Sequence, residues 1–191
     1  MAISPEQANL LIRKRRSIFP ETYIDQPIPE SIIREVLENA NWAPTHKLTE
    51  PWRFKVFRGA ALQGLSDYLA NSYKTNTPPE SFSEVKYLKT QRKPLRSSCV
   101  IAVCMQRDPK ESIPEWEEIA AVACAVQNMW LTCTANNVGC YWSSPKSMIE
   151  ANQFLNLQAG ERCLGLLYMG YHKLPDLPGK RNPIEDKVEW M

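Results

Sequence analysis

The stretch Cys99-Val100-Ile101-Ala102-Val103-Cys104-Met105 is a continuous apolar run with the length of one β-strand. An uninterrupted apolar run of this length is typical of a strand that is buried on both faces in the middle of a sheet. Cys99 and Cys104 are an odd number of residues apart, so a strand would place their side chains on opposite faces. We therefore predict a buried central strand at 99–105.

Segments with helical and strand patterns lie on both sides of this run. Ser4-Pro5-Glu6-Gln7 reads as a capping box that begins the first helix, and Gly139 is expected in the turn that ends the longest one. We predict helices at about 5–16, 30–43, 60–73, 114–136 and 145–152, and further strands at 52–57, 140–142 and 163–168. Helices interleaved with so few strands fit an α+β domain of three layers.

Two segments are markedly polar. Residues 81–93 predict a polar helix with few apolar positions, which we expect to be a mobile surface segment and a candidate lid. The tail from Tyr171 to Met191 combines many charges with helix-breaking prolines and a glycine, so it cannot bury itself. We expect it to be disordered or draped over another surface, and the aromatic Trp190 near its end favours the second.

Composition narrows the class of protein. The 191 residues are enough for one domain with a substantial core, and 43% hydrophobic with 23% charged residues is ordinary for a globular protein. The net charge of +2 gives no case for a nucleic-acid partner. The N-terminal residues lack a signal-peptide pattern. No apolar run is long enough to cross a bilayer, so we do not expect a membrane as a partner. We expect a cytoplasmic protein.

The cysteines are expected to be reduced. There are six of them, with only two histidines, and no C-x-x-C pair is present. A zinc site is therefore not expected. Most of the thiols lie in apolar segments, where a cysteine acts as a small hydrophobic residue.

Arg15-Arg16-Ser17, at the end of the first predicted helix, is a candidate phosphate clamp. A guanidinium group grips a phosphate through paired, charge-assisted hydrogen bonds, and a serine hydroxyl adds another donor. The chain has neither a G-x-G-x-x-G nor a P-loop motif, so a bound phosphate would depend on these side chains. The alternative is that basic residues here only complement the helix dipole.

A second stretch supplies groups suited to an aromatic ligand. Ala43-Pro44-Thr45-His46-Lys47 is followed by Pro51-Trp52-Arg53-Phe54. His46 and the tryptophan are planar groups with hydrogen-bond donors. The alternatives are that His46 is a loop residue bonded to the backbone, and that Trp52 packs in the core, where its indole N–H needs a partner.

These two stretches, in this order and at this spacing, resemble the flavin-binding signature of the nitroreductase family, from about Leu10 to Trp52 and more weakly to the C-terminus. The resemblance implies a single FMN-binding domain over 1–191, built as a three-layer α/β/α sandwich around a mixed, mainly antiparallel sheet. It also implies a homodimer with flavin at the subunit interface, and a C-terminal arm, about 172–191, that is exchanged onto the partner.

The resemblance assigns roles to particular residues. Arg15 and Ser17 would hold the FMN phosphate and ribityl chain, with Arg16 beside them. His46 would reach the flavin bound mainly by the partner subunit. Trp42 stands where this branch of the family often has an arginine, so it would instead stack or line the substrate pocket.

Two later segments complete the implied cofactor site. Trp142, Ser143 and Ser144 would lie beside the flavin ring system; taken alone, they form a strand edge and a turn that caps the next helix. Arg181 would reach the FMN phosphate from the tail, and the alternative for it is a solvated charge.

The implied activity is electron transfer from NADH or NADPH, through FMN, to nitroaromatic, quinone or similar electron-poor small molecules. Because FMN performs the redox chemistry, no catalytic protein residue is named. Two alternatives remain open: another flavin chemistry on the same scaffold (dehalogenation, flavin destruction, enoate or azoline redox), or a non-catalytic flavin-binding or structural module.

Overall fold

The computed structural model describes residues 2–176 and 178–191. Its helices are α1 (Pro5–Lys14), α2 (Glu30–Asn41), α3 (Ala60–Asn76), α4 (Glu84–Leu95), α5 (Glu115–Ala135) and α6 (Lys146–Ile149). Its strands are β1 (Trp52–Phe57), β2 (Cys99–Gln106), β3 (Val138–Ser143) and β4 (Glu161–Tyr171). Within these ranges, every helix is too short or too polar to span a lipid bilayer.

The strands form one sheet in the order β1-β2-β4-β3. Trp52 lies opposite Met105 in the pair β1–β2, and Val138 lies opposite Tyr171 in the pair β3–β4. All pairings between the described strands are antiparallel. The predicted α+β sandwich around a mainly antiparallel sheet is therefore confirmed.

β2 is the central strand, as its apolar run predicts. Every residue from Cys99 to Met105 is buried, and the side chains alternate between two hydrophobic clusters. Cys99 packs in the cluster with α2 and α5, whereas Cys104 packs in the cluster with α3 and α6. The two thiols thus lie on opposite faces of the sheet, and helices cover both faces.

The start of α1 follows directly from its sequence. The Ser4 hydroxyl accepts a hydrogen bond from the Gln7 backbone N–H, and the Gln7 side chain accepts one from the Ser4 N–H. This is the predicted capping box. The helix nevertheless buries none of its residues, and Leu10 and Ile12 are 68% and 55% exposed. Ala8 and Leu11 are half-buried where α1 packs on α5, whereas Leu10 and Ile12 are uncovered in a single chain.

β3 and β4 are longer than predicted. Each contains a glycine at which the sequence suggested that the strand would stop. Gly139 and Gly170 both lie inside strands and are paired with each other. The residue that ends α5 with a left-handed backbone is Asn137, at φ 54°, rather than Gly139. The prediction for Gly139 was therefore wrong, and the reason for a glycine there is steric.

The polar helix α4 is attached to α3. The Ser66 hydroxyl donates to the Gln91 carbonyl at 2.7 Å, and the Ser83 N–H donates to the Tyr73 hydroxyl at 3.1 Å. Its movement as a lid stays a prediction. The described residues from Lys173 onward are all exposed, in keeping with the composition of the tail.

The buried centre of the sheet should dominate the free energy of unfolding. Val103→Ala removes two carbon atoms from a fully buried site on β2, and we expect it to lower that free energy by about 2 kcal/mol. Val56→Ala, at a site 41% exposed on β1, is the matched control and should cost less than about 1 kcal/mol. Denaturant unfolding at one protein concentration measures both; equal losses would contradict the central placement of β2.

Candidate functional site

The backbone around Ser17 is fixed in an extended path beside β3. α1 ends at Lys14, and the Ile18 N–H donates to the Cys140 carbonyl at 3.0 Å. On the other side, the Trp130 indole N–H donates to the Arg16 carbonyl at 3.0 Å. Ser17 is exposed between these two anchors. The clamp residues are therefore held by both the sheet and α5.

A pair of glycines allows this segment to lie close to the sheet. A Cβ atom on Gly139 would lie 2.9 Å from side-chain atoms of Ile18 and Tyr23, and one on Gly170 would overlap the Tyr23 ring. The Tyr23 hydroxyl lies 2.8 Å from the Ile18 carbonyl and 3.1 Å from the Tyr168 carbonyl. Burial raises the pKa of Tyr23, so this hydroxyl stays protonated and donates.

Three guanidinium groups gather at the end of α1. The Arg15 guanidinium lies 4.7 Å from the centroid of the Trp130 ring. Burial lowers the pKa of Arg15, and the positive charges of Arg181 and Arg16 lower it further. In residues 2–176 and 178–191, neither Arg15 nor Arg181 forms an ion pair with a carboxylate. An anion bound here would offset the repulsion of Arg15 by the two neighbouring guanidinium groups.

The tail contributes to this cluster. A Cβ atom on Gly179 would lie 2.5 Å from Nη2 and 3.0 Å from Nη1 of Arg16. The Arg16 Nη1 also donates to the carbonyls of Arg13 and Arg15, at 2.5 and 2.7 Å. Arg16 therefore caps the end of α1 and supports the tail, which brings Arg181 towards Arg15.

The end of β3 carries the next set of predicted residues. Cys140 lies beside the clamp, and Ser143 is about 10 Å further along the strand at about 3.3 Å per residue. The Trp142 indole nitrogen is buried and has no hydrogen-bond partner among the described residues. A Cβ atom on Gly165 would lie 2.9 Å from this nitrogen, so the glycine makes room for the indole. Ser143 lines a cavity, and Ser144 is exposed.

His46 and Trp42 lie between the end of α2 and the start of β1. The His46 Nδ1 is 2.5 Å from a carboxylate oxygen of Glu117, at the start of α5. Trp42 is 78% exposed, and its indole N–H donates to Glu38 at 3.2 Å. Glu117 and Trp130 are about 20 Å apart along the helix, at about 1.5 Å per residue. A single chain therefore does not bring His46 to the arginine cluster, and the contact that Trp42 makes is with Glu38 on its own helix.

Some contributors carry no motif in the sequence. Trp130 contacts the Arg15 guanidinium and donates to the Arg16 carbonyl. In the sequence, the signal for such a role was a large aromatic residue in a helix rich in small ones. Tyr23 and its glycine pair give no local signal. The indole of Trp52, in contrast, has the partner that it needs, because its N–H donates to Asn41 at 3.0 Å.

The sequence profile described as the Nitroreductase family matches residues 12–171. The chain belongs to the nitroreductase family. The YfhC protein of Bacillus subtilis (strain 168), named as an NAD(P)H nitroreductase, is 31% identical over 184 residues, which are 95% of this chain and 92% of that protein.

Solved structures of the nitroreductase family have the same fold. A nitroreductase-like family protein from Bacillus cereus superposes with a TM-score of 0.81 at 28% identity, over 100% of this chain and 99% of that one. A nitroreductase-type protein from Desulfovibrio desulfuricans, crystallised in complex with FMN, superposes with a TM-score of 0.73 at 25% identity, over 100% and 98%.

The glycine pair should be sensitive to a single added methyl group. We expect Gly170→Ala to lower the free energy of unfolding by about 1–3 kcal/mol, because the Tyr23 ring must move away from the sheet. Gly64→Ala is the matched control: nothing lies within 4 Å of its Cβ position in α3, and alanine there should be neutral or stabilising by up to about 1 kcal/mol. Equal stability of the two variants in denaturant unfolding would contradict the close seating of Tyr23.

Proposed function

We propose that this nitroreductase-family protein is an FMN-dependent oxidoreductase that passes electrons from NADH or NADPH to nitroaromatic, quinone or similar electron-poor acceptors. The observation that carries the proposal is the arginine cluster beside β3, in which Arg15 is partly buried and repelled by two other guanidinium groups. A family member that resembles this chain over its whole length was crystallised with FMN, and the name of another relative refers to NAD(P)H.

The residues of the cluster fit a phosphate ester. Arg15 and Arg181 would bind its oxygens, and the Ser17 hydroxyl, between two backbone anchors, would add a donor. Arg16 would position the clamp, because its guanidinium already binds carbonyls at the end of α1. These contacts would bind a dianion through residues that lie outside the hydrophobic core.

The residues at the end of β3 fit the ring system of the same cofactor. Trp142 and Ser143 lie further along the strand from Cys140, which is bonded to Ile18, and Ser144 follows the strand directly. The Trp142 indole packs against Gly165 of β4 and would shape this end of the site. FMN, when bound, supplies the two-electron chemistry, and the protein supplies binding, orientation and exclusion of water.

We propose a homodimer in which His46 and Trp42 of the second copy complete each flavin site. In one chain His46 is far from the arginine cluster, Trp42 is exposed, and Leu10 and Ile12 of α1 are exposed as well. The tail touches its own Arg16 at Gly179. Beyond that point Ile184, Val188 and Trp190 are 63%, 44% and 93% exposed, and we propose that this part of the arm packs on the partner.

The clamp can be tested by the flavin content of the purified protein. We expect Arg15→Ala/Ser17→Ala to weaken FMN binding at least about a hundredfold, because hydrogen bonds to a charged group contribute about 1.5–3 kcal/mol each. Visible flavin absorption and titration with FMN measure the loss, and circular dichroism with size-exclusion chromatography checks that the fold and assembly persist.

Arg13→Ala is the control for charge. It removes one guanidinium from the exposed face of α1 at a residue whose contact with the clamp is only a backbone carbonyl. FMN affinity should change little. Retention of FMN by the Arg15/Ser17 variant at wild-type affinity, or an equal loss in the Arg13 variant, would contradict the proposed clamp.

A heterodimer can show whether His46 acts on the partner's flavin. One subunit carries Arg15→Ala/Ser17→Ala and the other carries His46→Ala, with different affinity tags for purification. If His46 serves the other subunit, the heterodimer has one wild-type site and one site with all the defects. Titration should then show one FMN bound with the wild-type Kd.

The alternative arrangement predicts a different titration. If His46 serves the clamp of its own chain, the tighter site of the heterodimer should have the weaker Kd of the His46→Ala homodimer. That result would contradict the shared site. A His46→Ala homodimer with unchanged FMN affinity would reduce His46 to a loop residue paired with Glu117.

A further inference from the structure

The loop that carries His46 has an uncommon backbone conformation. Lys47, Leu48 and Glu50 have positive φ values of 52°, 53° and 41°, although none of them is glycine. Left-handed conformations of such residues are rare. They persist where the surrounding structure holds them, and they are found preferentially at binding sites. Contacts from outside the loop must therefore fix its shape.

The segment before α5 supplies one of these contacts. The Lys47 Nζ donates a hydrogen bond to the Ser112 carbonyl at 2.9 Å. Ser112 is itself held by Asp108, whose carboxylate accepts from the Ser112 backbone N–H at 3.0 Å. The hydrogen bonds from the Ser112 side chain and backbone lower the pKa of Asp108 to about 2, so this carboxylate is charged at neutral pH. One side of the loop is thus tied to a fixed turn.

Glu117, in the first turn of α5, supplies the second contact. Its Oε2 lies 2.5 Å from the His46 Nδ1. The neighbouring Glu118 is fully buried and accepts the Asp108 backbone N–H at 2.8 Å, so this end of the helix is anchored. A carboxylate in the first helical turn is also favoured by the helix dipole. Glu117 is therefore a firmly placed hydrogen-bond acceptor.

The contact with Glu117 decides which nitrogen of His46 carries the proton. An ionised carboxylate only accepts hydrogen bonds, so the His46 Nδ1 must be the donor. In the neutral imidazole the other nitrogen, Nε2, is then an acceptor. Nε2 forms no hydrogen bond within residues 2–176 and 178–191, and the His46 side chain is 55% exposed. The ring thus presents an acceptor to a second molecule.

We propose that Glu117 is a positioning residue of the flavin site: it holds the proton of His46 on Nδ1 and leaves Nε2 to accept a hydrogen bond from flavin bound to the partner subunit. The oxidised isoalloxazine ring has one N–H group, the imide at its pyrimidine edge. That group is therefore the donor for Nε2. The inference rests on the proposed function, because it assigns a contact within the proposed homodimer.

The tautomer of His46 can be measured without flavin. The chain has two histidines, so nitrogen NMR of isotopically labelled histidine gives a simple spectrum. At about pH 8 an ordinary imidazole is neutral. We expect the proton of His46 on Nδ1 and that of His172 on Nε2, because the His172 Nδ1 accepts from the Leu174 N–H at 3.2 Å. In Glu117→Leu, His46 should shift towards the Nε2–H form while His172 keeps its wild-type pattern.

The effect on cofactor binding is tested by titration of the full-length variants with FMN. One hydrogen bond typically changes affinity by about threefold to tenfold, and we expect that loss for both Glu117→Leu and His46→Ala. The double variant should bind no more weakly than either single one, because the two residues act through one contact. Glu117→Gln, whose amide oxygen can still accept from Nδ1, should recover most of the affinity.

Glu115→Leu is the matched control. Glu115 also lies in the first turn of α5, but its carboxylate is 3.1 Å from the Arg162 Nη2 rather than beside His46. The substitution removes the same charge from the same helix end, so FMN affinity and the His46 tautomer should stay at their wild-type values. An equal loss in this control would overturn the inference, because it would assign the effect to the charge of the helix end.

A flavin analogue identifies the donor on the ligand. FMN methylated at the imide nitrogen lacks the N–H group that we assign to Nε2. The ratio of its Kd to that of FMN should be about threefold to tenfold larger in the wild-type protein than in His46→Ala, since only the wild-type protein has this contact to lose. An equal ratio in the two proteins would contradict the acceptor role of Nε2.

The titrations and the NMR spectrum separate this inference from the proposed function. A protein that binds no FMN contradicts the proposed function, and the inference with it. A protein whose FMN affinity depends on Arg15 and Ser17 supports that function. If His46 in such a protein carries its proton on Nε2, or if Glu117→Leu leaves the tautomer and the FMN Kd unchanged, the inference alone is wrong.

Discussion

The absence of side chains at Gly139 and Gly170 is the constraint on which the candidate site depends. Because the paired glycines have no Cβ atoms, the Tyr23 ring lies directly on the backbone of β3 and β4. The Tyr23 hydroxyl then reaches the Ile18 carbonyl, and the Ile18 N–H reaches β3. The segment that carries the clamp is thereby attached to the sheet. Rigid support of this kind is what a binding site needs, since an arginine on a free loop would lose entropy on binding.

The clamp itself works against the stability of the chain. Partial burial and two neighbouring guanidinium groups both disfavour the charged form of Arg15, although an arginine stays protonated in such surroundings. The contact with Trp130 offsets part of this cost. Under the proposed function, a bound anionic ligand would offset this cost.

A single copy of the chain leaves several features incomplete. α1 exposes Leu10 and Ile12, the aromatic end of the tail is uncovered, and His46 is separated from the clamp by much of the length of α5. One arrangement, a dimer with shared sites, would account for all of these features. α4 is different, because it packs on α3 of its own chain and encloses a cavity with it.

The sequence by itself determined the elements whose signals are local. The apolar run 99–105 fixed the buried central strand, the pattern Ser4 to Gln7 fixed the start of α1, and alternation fixed β1. The two motifs, Arg15-Arg16-Ser17 and the stretch around His46, also indicated the family that the profile match then confirmed. Periodicity, caps and short motifs depend on neighbours within a few residues, so they can be read along the chain.

Only the tertiary structure decided how distant residues meet. It placed Trp130 under Arg15, put Gly139 inside a strand where the sequence suggested a turn, and separated His46 from the clamp. It also brought Lys86 and Lys93 to the wall of one cavity with Ser143. These contacts join residues far apart in the chain, and they depend on how helices pack on the sheet. No local pattern records that packing, because it is set by the fit of whole surfaces.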